Sequence, residues 1–582
     1  MKSVVTRGLS LLVLTSSLRA QTASVRPGDD LIGLWGSEVH LGPQVRGDIV
    51  LERRADRWSL RVAGFEATSP ITSDSVRIVL PGGQGELRAR IDRPSAAMRG
   101  FWVQPAGNLP PYATPVHFSR APDGAWIGTV VPIDETFSLY LQVQRRGDGS
   151  LKGVFRNPDV NWNGRAPWFR VTREGDNVAF VDSASGKKRW VQSYDSAERR
   201  IAFDFGGPVI LRPRSPDQMV GFFPRSPSAP SYLYRVPTSR DDGWRTATAA
   251  SVGMDQAQLQ ALVRRVIAAD PASDSAPLIH SLLIARHGKL VLDEYFSGQT
   301  PDLAHDLRSA SKTFTSVMAG VAMDHGARFT MSSSVISLLP GEVALAAGDD
   351  RKARITVGQL LTHSTGLSCD DNDDTSPGNE DTMQGQSAER NWYRYILGLT
   401  MAHDPGSTYA YCSGGINVVG GVIRKTTRTW LPEFFDRYIA RPLQITHYGM
   451  NLMPSGDAYA GGGVRMRSRD LLKFGQLYLN GGTWNGARVV STEWVARSTA
   501  HQIDAPNGSS DGYGWHRYAL AVGGKTYQEY EASGNGGQFL IVVPAFDLAV
   551  VFTAGNYNQY RIWRKFRDEI VPQYILSAAR GP

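Results

Sequence analysis

Residues 306–320 have the sequence DLRSASKTFTSVMAG, in which Ser309 and Lys312 form the pattern Ser-x-x-Lys where a helix is predicted to begin. Residues three apart on a helix share a face and lie about 5–6 Å apart at Cβ. The lysine amine can therefore reach the serine hydroxyl, which is a poor nucleophile until a neighbouring base takes its proton. The pattern predicts a serine nucleophile, with Lys312 as its base or proton relay.

The residues that follow Lys312 predict that its side of the helix is buried. They are apolar at helical spacing: Phe314, Val317, Met318, Val321 and Ala322. Burial and a neighbouring positive group both lower the pKa of a lysine, so we expect a neutral amine that accepts the serine proton. Free N–H groups at the helix N-terminus suit an oxyanion. The alternative is a surface lysine one turn after a helix-capping serine.

Length and composition indicate a globular protein of more than one domain. The chain has 582 residues, with a hydrophobic content of 41% and a charged content of 20%. Its formal net charge is +8, but no basic block or aromatic-interleaved basic stripe indicates nucleic-acid binding. We interpret the charge as a solvated surface, with weak attraction to anionic envelopes as the alternative.

Residues 1–23 predict an export signal. Basic residues precede an apolar stretch at residues 8–14, and Ala20 and Ala23 are candidate cleavage positions. No later run approaches the ~18 apolar residues that a membrane helix needs. We therefore expect a periplasmic or secreted protein with no integral membrane segment after signal removal.

The segment from residue 28 to residue 212 predicts a β-rich accessory domain. Short runs at residues 58–62, 87–91 and 137–143 alternate apolar with other residues, as half-buried strands do. Turn signals separate such runs and no helix is predicted among them, which favours an antiparallel β barrel or sandwich. This half offers no nucleophile–base pair and no metal-ligand spacing, and we expect its aromatic residues to be core rather than the lining of a ligand cavity.

A change of pattern predicts a second domain. Residues 213–250, rich in Pro, Ser and Arg, predict a linker, and residues 251–582 form the second domain. Asp255 is a candidate N-cap for a helix with an apolar face, and a β-hairpin is predicted at residues 278–296. Both elements lead directly into the nucleophile stretch.

Four ordered motifs of this second domain carry a family resemblance. They are SASK at 309–312, LLTHSTGL at 360–367, YCS at 411–413 and GGGVRMRSRDLLKFGQLYLNGG at 461–482. Together they resemble the serine β-lactamase and penicillin-binding superfamily, and most of all its branch of class C-type esterases, D-amino-acid amidases and nylon-oligomer hydrolases. The resemblance covers roughly residues 253–579. It implies an α/β domain in which an antiparallel sheet is flanked by helices, as in β-lactamases and transpeptidases.

The resemblance implies roles for individual residues. Ser309 is the nucleophile and Lys312 its base or proton relay, while Tyr411 matches the tyrosine of the family's Tyr-x-Asn motif. A phenol near the lysine can act as a phenolate that the ammonium stabilises, and it can protonate the leaving group and later activate water. The alternative for Tyr411 is a packing residue. Ser413 stands where the family has asparagine, so the substrate contact made at that position differs.

The third family motif, Lys-Thr-Gly or His-x-Gly, is altered in this chain. Lys525-Thr526-Tyr527 lacks the glycine, whereas Ser533-Gly534-Asn535 is followed by a predicted hairpin at residues 538–553. The backbone N–H near Asn535 is then expected to complete an oxyanion hole with that of Ser309. Ala532 replaces the cationic or imidazole group that begins the motif. In β-lactam-binding members that group helps hold a carboxylate, so its loss argues against a dedicated β-lactamase.

The expected activity is that of an exported serine hydrolase cleaving an ester or amide bond in a small-molecule or short peptide-like substrate. No metal or cofactor is expected. The rival interpretations are a true β-lactamase and a catalytically silent protein that binds cell-wall peptides or β-lactams. Asp370, Asn372 and Asp374 imitate a calcium loop, but its sixth and twelfth positions do not match, so we expect a solvated acidic loop. His305 and His363 are expected to be structural.

Cys369 and Cys412 are the two cysteines of the chain. The resemblance puts both beside the cleft, and export would place them in an oxidising compartment, where a pair of cysteines is more often bridged than free. We therefore expect a disulfide that fixes the backbone next to Tyr411. The alternative is two unpaired buried thiols that pack as small apolar groups.

Overall fold

The computed structural model describes residues 26–581 except 93–96, 108, 160–167, 206 and 342–347. The export signal predicted at residues 1–23 lies outside the described residues. Within the described part of the chain, no helix is long and apolar enough to cross a membrane.

The first half of the described chain consists of strands joined by turns and short 3-10 segments. The strands are β1 (Gly33–Gly42), β2 (Gly47–Arg54), β3 (Arg57–Val62), β4 (Phe65–Pro70), β5 (Ser75–Val79), β6 (Glu86–Asp92), β7 (Ala97–Val103), β8 (Tyr112–His117), β9 (Ser119–Arg120), β10 (Trp126–Val130), β11 (Glu135–Arg145), β12 (Leu151–Arg156), β13 (Phe169–Glu174), β14 (Asn177–Asp182), β15 (Lys188–Asp195), β16 (Arg200–Asp204) and β17 (Pro208–Pro213).

The prediction of a β barrel or sandwich is confirmed, and the half contains both. Strands β1 and β11 to β17 close into an antiparallel barrel, in which β1 pairs with β11 on one side and β17 on the other. Side chains such as Trp35, Phe155 and Phe180 fill the barrel with a tightly packed aromatic core. The sheet β4-β3-β2-β10-β9 packs instead against β5 to β8, and the two share one apolar core around Trp102.

The second half contains the remaining strands and the α-helices. The strands are β18 (Arg245–Thr246), β19 (Ile279–Arg286), β20 (Lys289–Tyr295), β21 (His305–Asp306), β22 (Tyr448–Asn451), β23 (Val464–Met466), β24 (Thr483–Trp484), β25 (Ala487–Arg488), β26 (Ile503–Asp504), β27 (Ser510–Asp511), β28 (His516–Val522), β29 (Lys525–Gly534), β30 (Gln538–Val543) and β31 (Leu548–Ala554). The helices are α1 (Gln256–Ile267), α2 (Lys312–Asp324), α3 (Val335–Leu338), α4 (Val357–Leu361), α5 (Glu380–Gly385), α6 (Trp392–Gly398), α7 (Ser413–Thr427), α8 (Leu431–Phe435), α9 (Ser468–Leu479), α10 (Thr492–Thr499) and α11 (Tyr560–Lys565).

A seven-stranded sheet in the order β18-β20-β19-β31-β30-β29-β28 organises the second half. Helix α9 packs on one face and α2 and α7 extend the core on that side, while α1 packs on the other face together with a C-terminal helical segment, Phe566–Leu576. Helices on both faces explain why strands β30 and β31 are buried along their whole length. The predicted α/β architecture of a sheet flanked by helices is confirmed.

A third sheet crosses the boundary between the two halves. Its order is β21-β23-β22-β8-β7-β6-β5, and β22 pairs with β8 through Met450 opposite Ala113 and Asn451 opposite Tyr112. Strands from the predicted accessory domain and from the predicted hydrolase domain are therefore hydrogen-bonded to one another.

The predicted linker, residues 213–250, has little regular structure but is firmly attached to the second half. The buried guanidinium of Arg469 in α9 forms ion pairs with Asp242, at 2.6 Å, and with Asp293, at 2.7 Å. The indole N–H of Trp244 donates to the carbonyl of Arg469 at 3.0 Å. These contacts fix the end of the segment next to the hydrolase core.

Close packing holds α2 in place. Gly320 of α2 faces Trp494 of α10, and a Cβ at position 320 would lie 2.2 Å from the indole Cδ1. Three hydroxyls along the same helix donate to loop carbonyls: Thr313 to Gly514, Thr315 to Ala460 and Ser316 to Tyr513. The helix that follows Ser309 is thus tightly constrained.

We expect Gly320→Ala to lower the free energy of unfolding by about 1–3 kcal/mol, because the new methyl group overpacks the contact with Trp494. Alanine is intrinsically the better helix former, so helix propensity alone predicts a gain. Chemical denaturation followed by tryptophan fluorescence measures the change. Gly385→Ala is the matched control, because a Cβ there meets nothing within 4 Å. Equal stability of the two variants would contradict the packing argument.

Candidate active site

Ser309 lies in the tight 3-10 turn Arg308–Ser311, and α2 begins directly after it at Lys312. Arg308 has φ 49°, a left-handed conformation that a non-glycine residue adopts at a cost. The carboxylate of Asp306 offsets part of that cost by accepting the backbone N–H of Arg308 at 3.0 Å. The turn presents Ser309 at the start of a buried helix.

Lys312 and Tyr411 meet at Ser309. The ammonium of Lys312 donates to the hydroxyl oxygen of Ser309 at 3.0 Å and lies 5.0 Å from the ring centroid of Tyr411. Lys312 is only 4% exposed. The residues predicted to be nucleophile, base and proton-sharing phenol are therefore brought into one cluster.

The charge state of Lys312 differs from the expected neutral amine. Burial lowers the pKa of Lys312, but Tyr411 and the carboxylates of Glu380 and Asp371 together outweigh burial, so the pKa lies above its ordinary value. Burial raises the pKa of Tyr411, and Lys312 offsets only part of that rise. Lys312 and Tyr411 therefore both keep their protons in the resting site, and their titrations are coupled.

His363 belongs to this cluster, although we expected it to be structural. Its ring lies 4.5 Å from that of Tyr411, and its Nδ1 accepts the backbone N–H of Cys412 at 3.1 Å. Burial and Lys312 lower the pKa of His363 to about 3, so the imidazole is neutral. A neutral ring that holds the backbone after Tyr411 positions the phenol without adding a competing charge. His305 does have a structural partner, a buried ring nitrogen of His280 at 2.9 Å.

The end of β29 passes the nucleophile turn. Ser533 lines the same cavity as Ser309 and Lys312, and a Cβ at Gly534 would lie 2.4 Å from the carbonyl oxygen of Leu307, so only glycine fits there. The side chain of Asn535 is turned aside, since its amide donates to Asn558 at 2.8 Å. The backbone carbonyl of Asn535 accepts from the amide of Gln538 at 3.3 Å, which leaves its backbone N–H as the group that can contact a substrate.

The rejected motif at residues 525–527 lies at the other end of β29. There Lys525 pairs with Val522 across the β28–β29 hairpin. It is separated from Ser533 by the length of the strand.

Ser413 binds the carboxylate of Asp371 instead of being available to a substrate. Its hydroxyl donates to Asp371 at 2.6 Å, and its backbone N–H donates to the same carboxylate oxygen at 2.8 Å. Burial and the neighbouring Glu380 raise the pKa of Asp371 to about 6. Asp371 belongs to the acidic loop that we expected to be solvated, and it faces the site while its neighbours Asn372 and Asp373 are exposed. Among the described residues, no group of His, Cys, Asp and Glu side chains is arranged to hold a metal ion.

Sequence reasoning missed a second cluster in the cleft, the pair His516 and Asp511. The Nδ1 of His516 lies 3.0 Å from the carboxylate oxygens of Asp511, and both residues line the cavity of Ser309. Burial lowers the pKa of His516, but Asp511 outweighs burial and the pKa lies above its ordinary value. Tyr409 also donates to Asp511, at 3.3 Å. No local motif marks this pair, because its members come from two short strands joined by a glycine-rich turn.

Cys369 and Cys412 are joined by a disulfide, with Cα atoms 5.4 Å apart. The bridge ties the LLTHSTGL segment to the residue directly after Tyr411. The Sγ of Cys412 also accepts the backbone N–H of Gly415 at the start of α7. The disulfide, the N-cap contact and His363 all act on Cys412 and so fix the backbone next to Tyr411.

Comparison with known proteins gives a family match over the second half. The beta-lactamase family model matches residues 263–563. The 6-aminohexanoate-dimer hydrolase of Paenarthrobacter ureafaciens is 28% identical over 225 residues, which is 37% of this chain and 55% of that protein. Penicillin-binding protein 4 of Amycolatopsis lactamdurans is 24% identical over 292 residues, 44% of this chain and 74% of that protein. The chain thus spans about half the length of the first of these relatives.

A solved structure of similar fold is a putative 6-aminohexanoate-dimer hydrolase from Bacillus anthracis. It is 17% identical, has a TM-score of 0.43, and the match covers 52% of this chain and 81% of that one.

We expect Cys369 and Cys412 to resist alkylation in unfolded protein until reductant is added, as mass spectrometry of the non-reduced protein will measure. Closing a loop of this length stabilises by roughly 3–4 kcal/mol in the chain-entropy model, so reduction should also lower the melting temperature. Reductant-treated Cys369→Ser/Cys412→Ser protein is the control, since its melting temperature should not respond. Labelling of both thiols without reductant would contradict the bridge.

Proposed function

The chain belongs to the beta-lactamase family, and we propose that it is an exported serine hydrolase that cleaves an ester or amide bond through a Ser309 acyl-enzyme. The observation that carries the proposal is the 3.0 Å hydrogen bond between Lys312 and Ser309 in a buried site that also holds Tyr411. Export is supported by the disulfide, because such bridges persist in oxidising compartments. The substrate is a small molecule or short peptide-like compound, and the protein acts in the periplasm or outside the cell.

In the first half of the proposed reaction, the Ser309 oxygen attacks the carbonyl carbon while its proton passes to the Lys312–Tyr411 pair. The backbone N–H groups of Ser309 and Asn535 stabilise the tetrahedral oxyanion. Collapse breaks the ester or amide bond, and the pair returns the proton to the departing oxygen or nitrogen. The products of this half are the acyl-enzyme and an alcohol or amine.

In the second half, water attacks the acyl-enzyme and gives its proton to the same pair. The second tetrahedral intermediate collapses, the proton returns to the Ser309 oxygen, and the carboxylic acid leaves. The pair must therefore be one proton short when the first attack begins, and it returns to that state each time it passes a proton on. Because both pKa values lie above their ordinary values, this deprotonated form is the minor one at neutral pH.

Two rival functions stay open to test. A true β-lactamase is disfavoured by Ala532, which offers no charge to a β-lactam carboxylate at that position. The imidazole of His516, whose pKa Asp511 raises, lies elsewhere in the same cavity. A catalytically silent binding protein for cell-wall peptides or β-lactams is disfavoured by the intact contact of Lys312 with Ser309.

A fluorophosphonate probe is expected to label the protein, and Ser309→Ala should abolish both labelling and hydrolysis. The screen compares neutral and carboxylated p-nitrophenyl esters, D-amino-acid amides and linear amide oligomers, with nitrocefin as the β-lactam. Ser311→Ala is the control for loss of a neighbouring hydroxyl, because Ser311 accepts the Val464 N–H instead of facing Lys312. Labelling that survives in Ser309→Ala would refute the nucleophile, and nitrocefin turnover above ester turnover would favour the β-lactamase.

The value of kcat/KM should rise with pH from 6 to 9, because the Lys312–Tyr411 pair must lose a proton and both pKa values lie above their ordinary range. Lys312→Arg should lower kcat/KM by about 10³-fold or more at every pH, since arginine stays charged and is larger than the buried lysine. Lys289→Arg, on the exposed face of β20, is the control. A flat pH profile, or substantial activity in Lys312→Arg, would count against the mechanism.

A further inference from the structure

A second cavity lies between β5, β6 and β7 of the first half and residues 424–441 of the second half, which include the end of α7 and all of α8. Its volume is 600 Å³, a size typical of small-molecule sites. The sheet contributes four arginines to its wall, Arg77, Arg88, Arg90 and Arg99. The opposite wall contributes three more, Arg424, Arg437 and Arg441, while the four carboxylates of the lining are Asp92, Glu433, Asp436 and Asp457.

The sheet places like charges directly opposite one another. Arg77 pairs across the strands with Arg88, and Arg90 pairs with Arg99. Arg88 and Arg90 are two residues apart on β6, so all four guanidinium groups project from one face. Like charges directly opposite in a sheet are destabilising. A face built in this way calls for compensating negative charge.

The carboxylates of the protein supply only part of that charge. Glu86 binds both Arg77 and Arg88, and Glu433 lies 3.4 Å from Arg90. On the opposite wall, Asp457 lies 2.9 Å from Arg424, and Asp436 lies 2.7 Å from Arg441.

Arg99 and Arg437 form no ion pair within the described part of the chain. The Nε of Arg99 is buried and lacks a hydrogen-bond partner among the described residues. Burial and the neighbouring Arg441 lower the pKa of Arg99, against the smaller opposite effects of Asp436 and Asp92. Arg437 is exposed and lies over the ring of Tyr438. Two guanidinium groups therefore line the cavity without an ion-pair partner among the described residues.

Trp430 and Phe101 form the apolar part of the wall. The indole N–H of Trp430 donates to the carbonyl oxygen of Gly456. The guanidinium carbon of Arg88 lies 4.7 Å from the centroid of the indole ring, and the ring of Phe101 contacts the indole edge-on. Arg88 is also held by Glu86 and by the carbonyl of Gly456. Planar guanidinium groups of this kind bind phosphate and carboxylate oxygens through paired hydrogen bonds.

We propose that this cavity is a binding site for a phosphate-bearing anion, held chiefly by Arg99 and Arg437 between the two halves of the protein. A phosphate monoester carries nearly two negative charges at pH 7, which matches the two guanidinium groups that lack ion pairs. The proposal stands independently of the hydrolase activity, because none of its residues lines the cavity of Ser309.

The test measures binding of inorganic phosphate and pyrophosphate to the full chain by isothermal titration calorimetry at constant ionic strength. Saturable binding of pyrophosphate is expected, weakened at least tenfold in Arg99→Gln/Arg437→Gln. Arg53→Gln/Arg57→Gln removes the same charge from strands β2 and β3, outside the cavity, and should bind as the unaltered protein does. Co-sedimentation with phosphatidylglycerol vesicles distinguishes a lipid headgroup from a soluble phosphate compound as the source.

Melting curves establish that each variant is folded. If Arg99→Gln/Arg437→Gln does not fold, Arg437→Gln alone, at an exposed position, replaces it and should weaken binding measurably. Absence of binding to pyrophosphate and to vesicles would overturn the proposal. Equal weakening by the cavity variant and by the Arg53→Gln/Arg57→Gln control would also overturn it, because the effect would then be one of overall charge.

Discussion

The buried contact between Lys312 and Ser309 imposes the strongest constraint on the second half of the molecule. A cation that is only 4% exposed needs compensating charge, and Asp371 and Glu380 supply it from a loop and a helix that follow α2 in the chain. Those carboxylates in turn need partners, which are the hydroxyls of Ser413 and Tyr459. The lysine at the start of α2 thus determines which polar groups are buried around it.

The chemistry that the sequence predicts most directly is local. Ser309 and Lys312 are three residues apart, and the glycine of the altered third motif is followed by two apolar runs separated by a turn, so both could be located without the fold. The charge of Lys312 could not be predicted in this way, because it depends on Asp371 and Glu380, which are distant in the chain. Asp511 and His516 are close to each other in the chain but far from Ser309, so only the fold shows that they line its cavity.

For the β-rich half, the sequence predicts the strands but not how they are arranged into sheets. Alternation identifies strands, yet it does not say whether a strand belongs to the barrel, as β11 does, or to the sandwich, as β6 does. Strand partners are chosen by the three-dimensional fit of whole faces, which a single sequence does not display. The arginine-lined cavity illustrates this limit, since Arg90 and Arg99 meet only because β6 and β7 pair in one particular register.

The pairing of β8 with β22 has a consequence for the order in which the chain is completed. Residues 112–117 emerge from the ribosome long before residues 448–451, so the outer edge of β8 has unpaired N–H and C=O groups while most of the second half is still being made. Open strand edges are templates for pairing with other chains. The half that is synthesised first therefore completes its strand pairing last. A nascent chain interrupted before residue 448 would expose an aggregation-prone strand edge that is paired in the complete protein.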